Sequence, residues 1–367
     1  MTRARSLLRL AQPEDDAALS RLFAETPLRG GFEIALERHP SYLSSQAAML
    51  DHDVFVGVRD KAIIGCGARV VRECWWQDEP ARVAYLGDLR CHPSQQRRAG
   101  WLIREGYRTL ATAHEKAPAA VTWSAIFEEN AIARNMVQPR RAGLPEYIDR
   151  GRLHCPILLV PRWAKTPRSR DISFHRASEH DWQEISAFLH EQWRHRPLAP
   201  VCRAEDFAQG ERWPCLAASD FLLMRRGKQL VGVTALWDLR AVKQVRLIAV
   251  HGALGRMRGL LNLLARITGL PCVPDDGAIL PMGYLSFFAV DQEDAVLAQL
   301  LVKAARAAAA ARGWGFLCAC AHEDHPFAQV FQRFLAIPSH GRLYQVALGD
   351  SLPPWPERAP HIEPALL

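Results

Sequence analysis

DVFVGVRDKAIIGCGA, residues 53–68, returns as DFLLMRRGKQLVGVTA at residues 220–235 without a gap. Asp53 falls on Asp220, Arg59 on Arg226, Lys61 on Lys228, Gly65 on Gly232 and Ala68 on Ala235. Apolar residues meet apolar ones at most other places. Each copy is an apolar run, a polar break (Arg59-Asp60-Lys61 or Arg226-Gly227-Lys228) and a second apolar run. That pattern reads as two strands joined by a tight turn. A recurrence of this kind decides the architecture.

Upstream, Leu8-Arg9-Leu10 and Ile172-Ser173-Phe174 read as short strands. Helices follow, with Leu19, Leu22 and Phe23 in one copy and Ile185, Phe188 and Leu189 in the other at helical spacing. Downstream, Tyr85-Leu86 recurs as Tyr284-Leu285, Glu128-Glu129 as Glu323-Asp324, and Gly151-Arg152-Leu153 as Gly341-Arg342-Leu343. The shared order predicts a unit of strand, helix, hairpin, strand, helix, strand, helix, strand. That is an α/β fold on a mixed sheet, present twice. A chain of 367 residues also exceeds what one core usually serves. The expected units are residues 1–163 and 171–349, joined by the linker Pro161–Arg170, with an irregular, proline-rich tail at 350–367.

The second unit carries an insertion at about 239–282, from Leu239 to Met282. Leu254, Met257, Leu260, Leu261, Leu264 and Ile267 recur in it at helical spacing. Lys243, Arg246, Arg256, Arg258 and Arg266 lie in the same stretch. The expectation is an extra helix covering a sheet face, its basic side in water. A lid over an acceptor site and a subunit contact are the other readings.

Apolar residues make up 49% and charged residues 23%, a globular composition. No apolar run is long enough to span a bilayer, and the N-terminus has no secretory pattern. The nine cysteines include no CxxC pair, and Cys318 and Cys320 are two apart, which suits free thiols in a reducing compartment. The expected location is therefore cytoplasmic, with no membrane partner. The net charge of +7 is spread along the chain, so nucleic acid is not the expected partner. A phosphorylated cofactor would suit it equally.

In the first half the strand Tyr85–Cys91 runs into HPSQQRRAGWLIREGYRTL, which opens a helix near Trp101. A helix N-terminus offers unpaired amides and partial positive charge to an anion, and Arg97 and Arg98 add full charge. This order of elements, with the stretch LRCHPSQQRRAG, resembles the GNAT superfamily of acyl-CoA N-acyltransferases. The resemblance implies a pyrophosphate loop within Gln96, Arg97, Arg98, Ala99, Gly100, Trp101 and Leu102, although Leu102 stands where the family has Gly or Ala. It implies that Asn130-Ala131-Ile132-Ala133 starts the helix along the pantetheine arm, through Asn130 and Ala133. The family's tyrosine acid would fall at Val137, and Tyr147 lies one strand further on. Backbone N–H groups of Leu89, Arg90 and Cys91 would polarise the thioester carbonyl.

The implied cofactor is acetyl-CoA or another acyl-CoA, with no metal, and the implied acceptor is a small-molecule or peptide amine. Asp88, an acid within an apolar strand, is the candidate base, because burial raises a carboxyl. The competing reading pairs it with an arginine such as Arg90. Glu128 is the second candidate, against a solvated acid at a helix start. Asp88 corresponds to Phe287 in the second half and Asn130 to His325. The loop after Val290, DQEDAVLAQ, holds three acids, so the second copy is expected to have lost the cofactor. His322, Glu323, Asp324 and His325 are explained by the repeat rather than by a metal. The non-enzymatic alternative is an acyl-CoA sensor or scaffold, and an aminoacyl-transferase of the tandem type is a further one.

Overall fold

The computed structural model describes residues 6–28, 31–47, 52–98, 100–137, 144–348 and 352–367. The first half contains β1 (Ser6–Leu10), α1 (Asp16–Glu25), β2 (Phe32–Arg38), α2 (Tyr42–Ala47), β3 (His52–Arg59), β4 (Ala62–Trp76), β5 (Glu79–Cys91), α3 (Gly100–Lys116), β6 (Val121–Phe127), α4 (Ala131–Met136), β7 (Tyr147–His154) and β8 (Ile157–Leu159). The second contains β9 (Ile172–Arg176), α5 (Trp182–Trp193), α6 (Ala204–Gln209), β10 (Phe221–Arg226), β11 (Gln229–Trp237), β12 (Lys243–Val250), α7 (Gly252–Arg256), α8 (Arg258–Thr268), β13 (Met282–Val290), α9 (Ala295–Ala311), β14 (Phe316–Cys318), β15 (Ala321–His322), α10 (Pro326–Gln332), β16 (Ala336–Ile337) and β17 (His340–Val346).

The repeated stretches form equivalent hairpins. Val54 pairs with Ala68 in β3–β4, and its counterpart Phe221 pairs with Ala235 in β10–β11. Both turns need positive φ, supplied by Asp60 and Lys61 (49° and 69°) in one and by Gly227 (59°) in the other. The period of two then sorts the first hairpin by face. Val54, Val56, Cys66 and Ala68 pack with Leu19, Leu22 and Phe23 of α1. Gly57 and Gly65 face α3 instead. A Cβ at Gly57 would stand 2.0 Å from Leu102 Cδ1, and one at Gly65 2.6 Å from Leu102 Cδ2.

Two mixed sheets result. One has eight strands in the order β1-β3-β4-β5-β6-β17-β7-β15, the other seven in the order β16-β8-β14-β13-β11-β10-β9. Each sheet takes strands from both halves. β17 inserts between β6 and β7, while β8 and β16 lie on the edge of the second sheet beside β14. β7 and β17, equivalent in the repeat, pair antiparallel with Arg152 opposite Arg342. The long β4–β5 hairpin also reaches across. Trp75 and Trp76 are only 5% and 4% exposed. Trp75 exchanges backbone hydrogen bonds with Leu198 and Ala199.

The linker, residues 161–170, carries no helix or strand. From residue 352 onward there is one 3-10 turn, Pro364–Leu366, yet Ala359–Ala365 is buried. The insertion supplies β12, which pairs with β2 of the first half. Its helix exists where the periodicity places it, but its orientation differs from the expectation. Leu260, Leu263, Leu264 and Ile267 are 49–73% exposed, and the inward contact is made through Ala265. The apolar stripe faces outward along with Arg256 and Arg266.

Candidate acyl-donor site

β5 and β6 are parallel neighbours only from Val83 to Tyr85 and from Val121 to Trp123. Beyond that point they part, and the Ser124 hydroxyl donates to the Leu86 carbonyl (2.8 Å) where the opening begins. Within the opening, β5 carries a bulge. The register with β4 shifts between Cys66–Arg90 and Ala68–Gly87, so that Asp88 and Leu89 together stand opposite Gly67. Asp88 has φ 53°, in the left-handed region that a non-glycine residue adopts only when its surroundings hold it there. The second copy is built alike. β13 and β14 pair only at Met282–Tyr284 and Phe316–Cys318, and Phe287 has φ 49°.

The two bulges differ in what surrounds them. Asp88 accepts from Arg38 Nη2 (3.2 and 3.4 Å) and from the Tyr42 hydroxyl (3.0 Å). The Cys66 thiol donates to its carbonyl (3.4 Å). Phe287 instead sits among aromatic rings, with Phe207, Trp213, Phe221 and Trp237 between 5.2 and 5.6 Å away by centroid. Its N–H donates to Glu363 Oε2 (2.9 Å), so the tail occupies that bulge.

The charges around Asp88 overturn the expected raised pKa. Burial is the largest single influence and pushes the carboxyl up. Arg38, then Arg90, Lys243 and the Tyr42 hydroxyl together outweigh it, and Asp88 lies below the ordinary carboxylate value. The ion pair is with Arg38, not Arg90, whose guanidinium lies over the Phe23 ring (5.1 Å). Glu128 is held in two hydrogen bonds by Arg152 (2.8 and 2.7 Å), which also lowers its pKa. Neither carboxylate has the raised pKa of a base poised near neutrality.

Lys243, which reading the residues did not single out for this role, is buried in the same cluster. Burial and the Arg38 charge bring it down to about 7, with Asp88 opposing. Its ammonium donates to the main-chain oxygen of Leu367 and lies 5.5 Å from the Tyr284 ring centroid. Nothing in the sequence linked Arg38 of β2, Tyr42 of α2 or Lys243 of β12 to Asp88, because these elements meet β5 only in the folded chain.

A folded-state pKa below the ordinary 10.5 means that native Lys243 binds less proton than the unfolded chain between about 7 and 10.5. Its share of stability therefore rises with pH across that window. Lys243→Met is expected to be more stable than the parent by roughly 1–3 kcal/mol at about pH 6. The difference shrinks toward about pH 10, as thermal melts at several pH values would show. A gap that does not change with pH would contradict this.

The remaining candidates lie along the opening. Leu89 is 46% exposed, and Cys91 is half-buried with its thiol pushed up by burial. Gln96, Arg97 and Arg98 belong to a 3-10 turn, Pro93–Arg98, and Ala99 lies outside the described residues. Gly100, exposed, and Trp101, half-buried, begin α3. Leu102 is not a loop residue, as the expected phosphate cradle required. Its side chain is buried on Gly57 and Gly65, the reason this position carries Leu. Asn130 caps α4, its Oδ1 accepting from the Ala133 N–H (3.0 Å). His325, its counterpart, accepts from the Phe327 N–H (3.2 Å), and burial keeps that imidazole neutral. Tyr147 shares a 2.5 Å hydroxyl contact with Tyr107 of α3.

No family model and no curated protein sequence matches the chain. Solved structures do, and they show its fold: that of GCN5-related N-acetyltransferases, arranged in tandem. With a GCN5-related N-acetyltransferase from Sphaerobacter thermophilus the TM-score is 0.62 at 14% identity, over 95% of this chain and 97% of that one. A tandem GNAT protein from the clavulanic acid biosynthesis pathway gives 0.55 at 13%, over 95% and 100%. Saccharomyces cerevisiae N-myristoyltransferase with bound myristoyl-CoA gives 0.59 at 8%, over 93% and 82%. At such identities the likeness is one of fold.

Proposed function

We propose that the protein is an N-acyltransferase that takes an acyl group, acetyl in the simplest case, from acyl-CoA and passes it to an amine. The observation that carries this reading is the asymmetry of the two bulges. The first opens between parting strands beside a cluster of ionised groups, and the second is filled by rings and by Glu363. The donor would lie along Leu89–Cys91, its phosphates toward Arg97, Arg98 and the start of α3, and its pantetheine arm beside Asn130 and Ala133. The solved fold relatives include one holding myristoyl-CoA, which supports a coenzyme A ester as the donor class.

In the reaction the neutral amine attacks the thioester carbon, and a tetrahedral intermediate forms. The nitrogen then gives up a proton, the C–S bond breaks as the amide forms, and the leaving thiolate takes a proton up. Backbone N–H groups at the bulge would stabilise the oxyanion. Asp88 would hold Arg38 and Tyr42 in place there rather than accept the proton. Lys243, close to neutrality, is the member of the cluster suited to exchange one.

A specific observation favours the second reading, a non-catalytic acyl-CoA sensor: Asp88 and Glu128 are both engaged by arginines. Calorimetry with acetyl-CoA, followed by thiol release in the presence of amines, separates the two. Both readings expect micromolar binding, on the order of −8 kcal/mol, weakened at least tenfold by Arg97→Glu. Thiol release that requires an amine identifies the enzyme, and binding without release identifies the sensor. No binding of acetyl-CoA, a longer acyl-CoA or CoA would overturn both.

A further inference from the structure

The apolar stripe of the insertion faces solvent over two consecutive helices. Leu254, Met257, Leu260, Leu263, Leu264 and Ile267 are 42–73% exposed. Scattered exposed leucines are ordinary, but a continuous helical stripe turned away from the core is not. The stripe carries its own charge pattern. Residues 251–274 contain three arginines and no acid. Arg258 is paired with Asp275 and Asp276, whereas Arg256 and Arg266 are exposed and hold no carboxylate among the described residues. The linker closes one end. Arg162 donates to the Arg266 carbonyl, and the Trp163 indole N–H to the Thr268 carbonyl. Trp163 is 61% exposed.

We propose that this face, α7 and α8 with Trp163, docks the protein on an anionic lipid surface. An apolar stripe flanked by arginines is the pattern of a helix lying in the plane of a bilayer, its leucines in the acyl boundary and its guanidinium groups among the headgroups. An exposed tryptophan at the rim suits the headgroup layer. Charge also separates this occupant from a second copy of the chain. A two-fold contact sets the same patch against itself and would bring the unpaired arginines of both copies together. An anionic bilayer offers them opposite charge. The expectation of no membrane partner rested on the lack of a spanning segment. No helix among the described residues is long and apolar enough to cross a bilayer, and a helix lying on the surface need not be. None of these residues belongs to the donor site, so the inference stands apart from the catalytic reading.

Cosedimentation of the full chain with vesicles tests it. Vesicles rich in phosphatidylglycerol are expected to carry the protein down at least tenfold more strongly than pure phosphatidylcholine, and high salt is expected to weaken the binding. Leu263→Glu with Ile267→Glu should abolish it while the melting temperature stays unchanged, because both side chains are already exposed. Arg256→Ala with Arg266→Ala should weaken it about fivefold for each residue. Failure to sediment with anionic vesicles overturns the proposal, as does equal binding to neutral ones. A dimer in light scattering that dissociates in the Leu263→Glu, Ile267→Glu variant would assign the face to self-association instead.

Discussion

Asp88→Ala is expected to cost about 3–5 kcal/mol of stability, because removing one partner strands the other as a buried charge. Arg38 would lose its acceptor at 3.2 Å, and the Tyr42 hydroxyl its acceptor at 3.0 Å, at a backbone position already held at positive φ. Denaturant unfolding of Asp88→Ala, Arg38→Met and the double variant measures it. The double variant should recover a large part of the loss, since the same volume without charges is often tolerated. Additive losses would mean that the pair is not the unit. The pH dependence gives a second check. Native Asp88 lies below its ordinary value of 3.8, so its contribution is complete above about that pH and is lost as pH falls through the native value. The acid limb of stability should therefore be shallower in Asp88→Ala than in the parent.

Leu102→Ala is expected to destabilise by about 2–5 kcal/mol, the range for emptying a buried leucine site. The glycines opposite make the test sharper. Gly57→Ala alone should cost about 1–3 kcal/mol through overpacking, since its Cβ would lie 2.0 Å from Leu102 Cδ1. The three heavy atoms nearest that Cβ all belong to the Leu102 side chain. Gly57→Ala combined with Leu102→Ala should therefore be no worse than Leu102→Ala alone. Gly65→Ala should not be rescued in this way, because its Cβ would also meet the Arg90 carbonyl oxygen at 2.8 Å. Equal rescue at both glycines would contradict this geometry. The same comparison bears on the proposed donor site. Leu102 joins α3 to β3 and β4, so acyl-CoA affinity should follow the position of α3 rather than any contact of the Leu102 side chain.

The repeat was legible because local patterns carry it. Apolar runs on either side of Arg59–Lys61 and Arg226–Lys228 specify hairpins whatever else the chain does. Asn130 and His325 could be aligned because capping is a local act, and both side chains accept an N–H from the first turn that follows. The insertion's helix was equally legible from its spacing, but the direction of its stripe was not. Periodicity reports that a helix has two faces, and only the packing of Ala265 decides which one is turned inward.

By itself, then, the sequence determined the two-fold repeat, the mixed α/β unit and the strand-to-helix opening at Leu89–Gly100, all of which rest on interactions between near neighbours. Tertiary structure alone decided the rest. It exchanged strands between the sheets, pairing β17 with β6 and β7, as in Gln345 opposite both Trp123 and Ile148. It brought Arg38 and Lys243 to Asp88 and so set the sign of that carboxyl's shift. It also laid Glu363 on the second bulge. A pKa is a sum over all nearby charges and over burial, and most of those charges arrive from other strands. No window of sequence contains that sum.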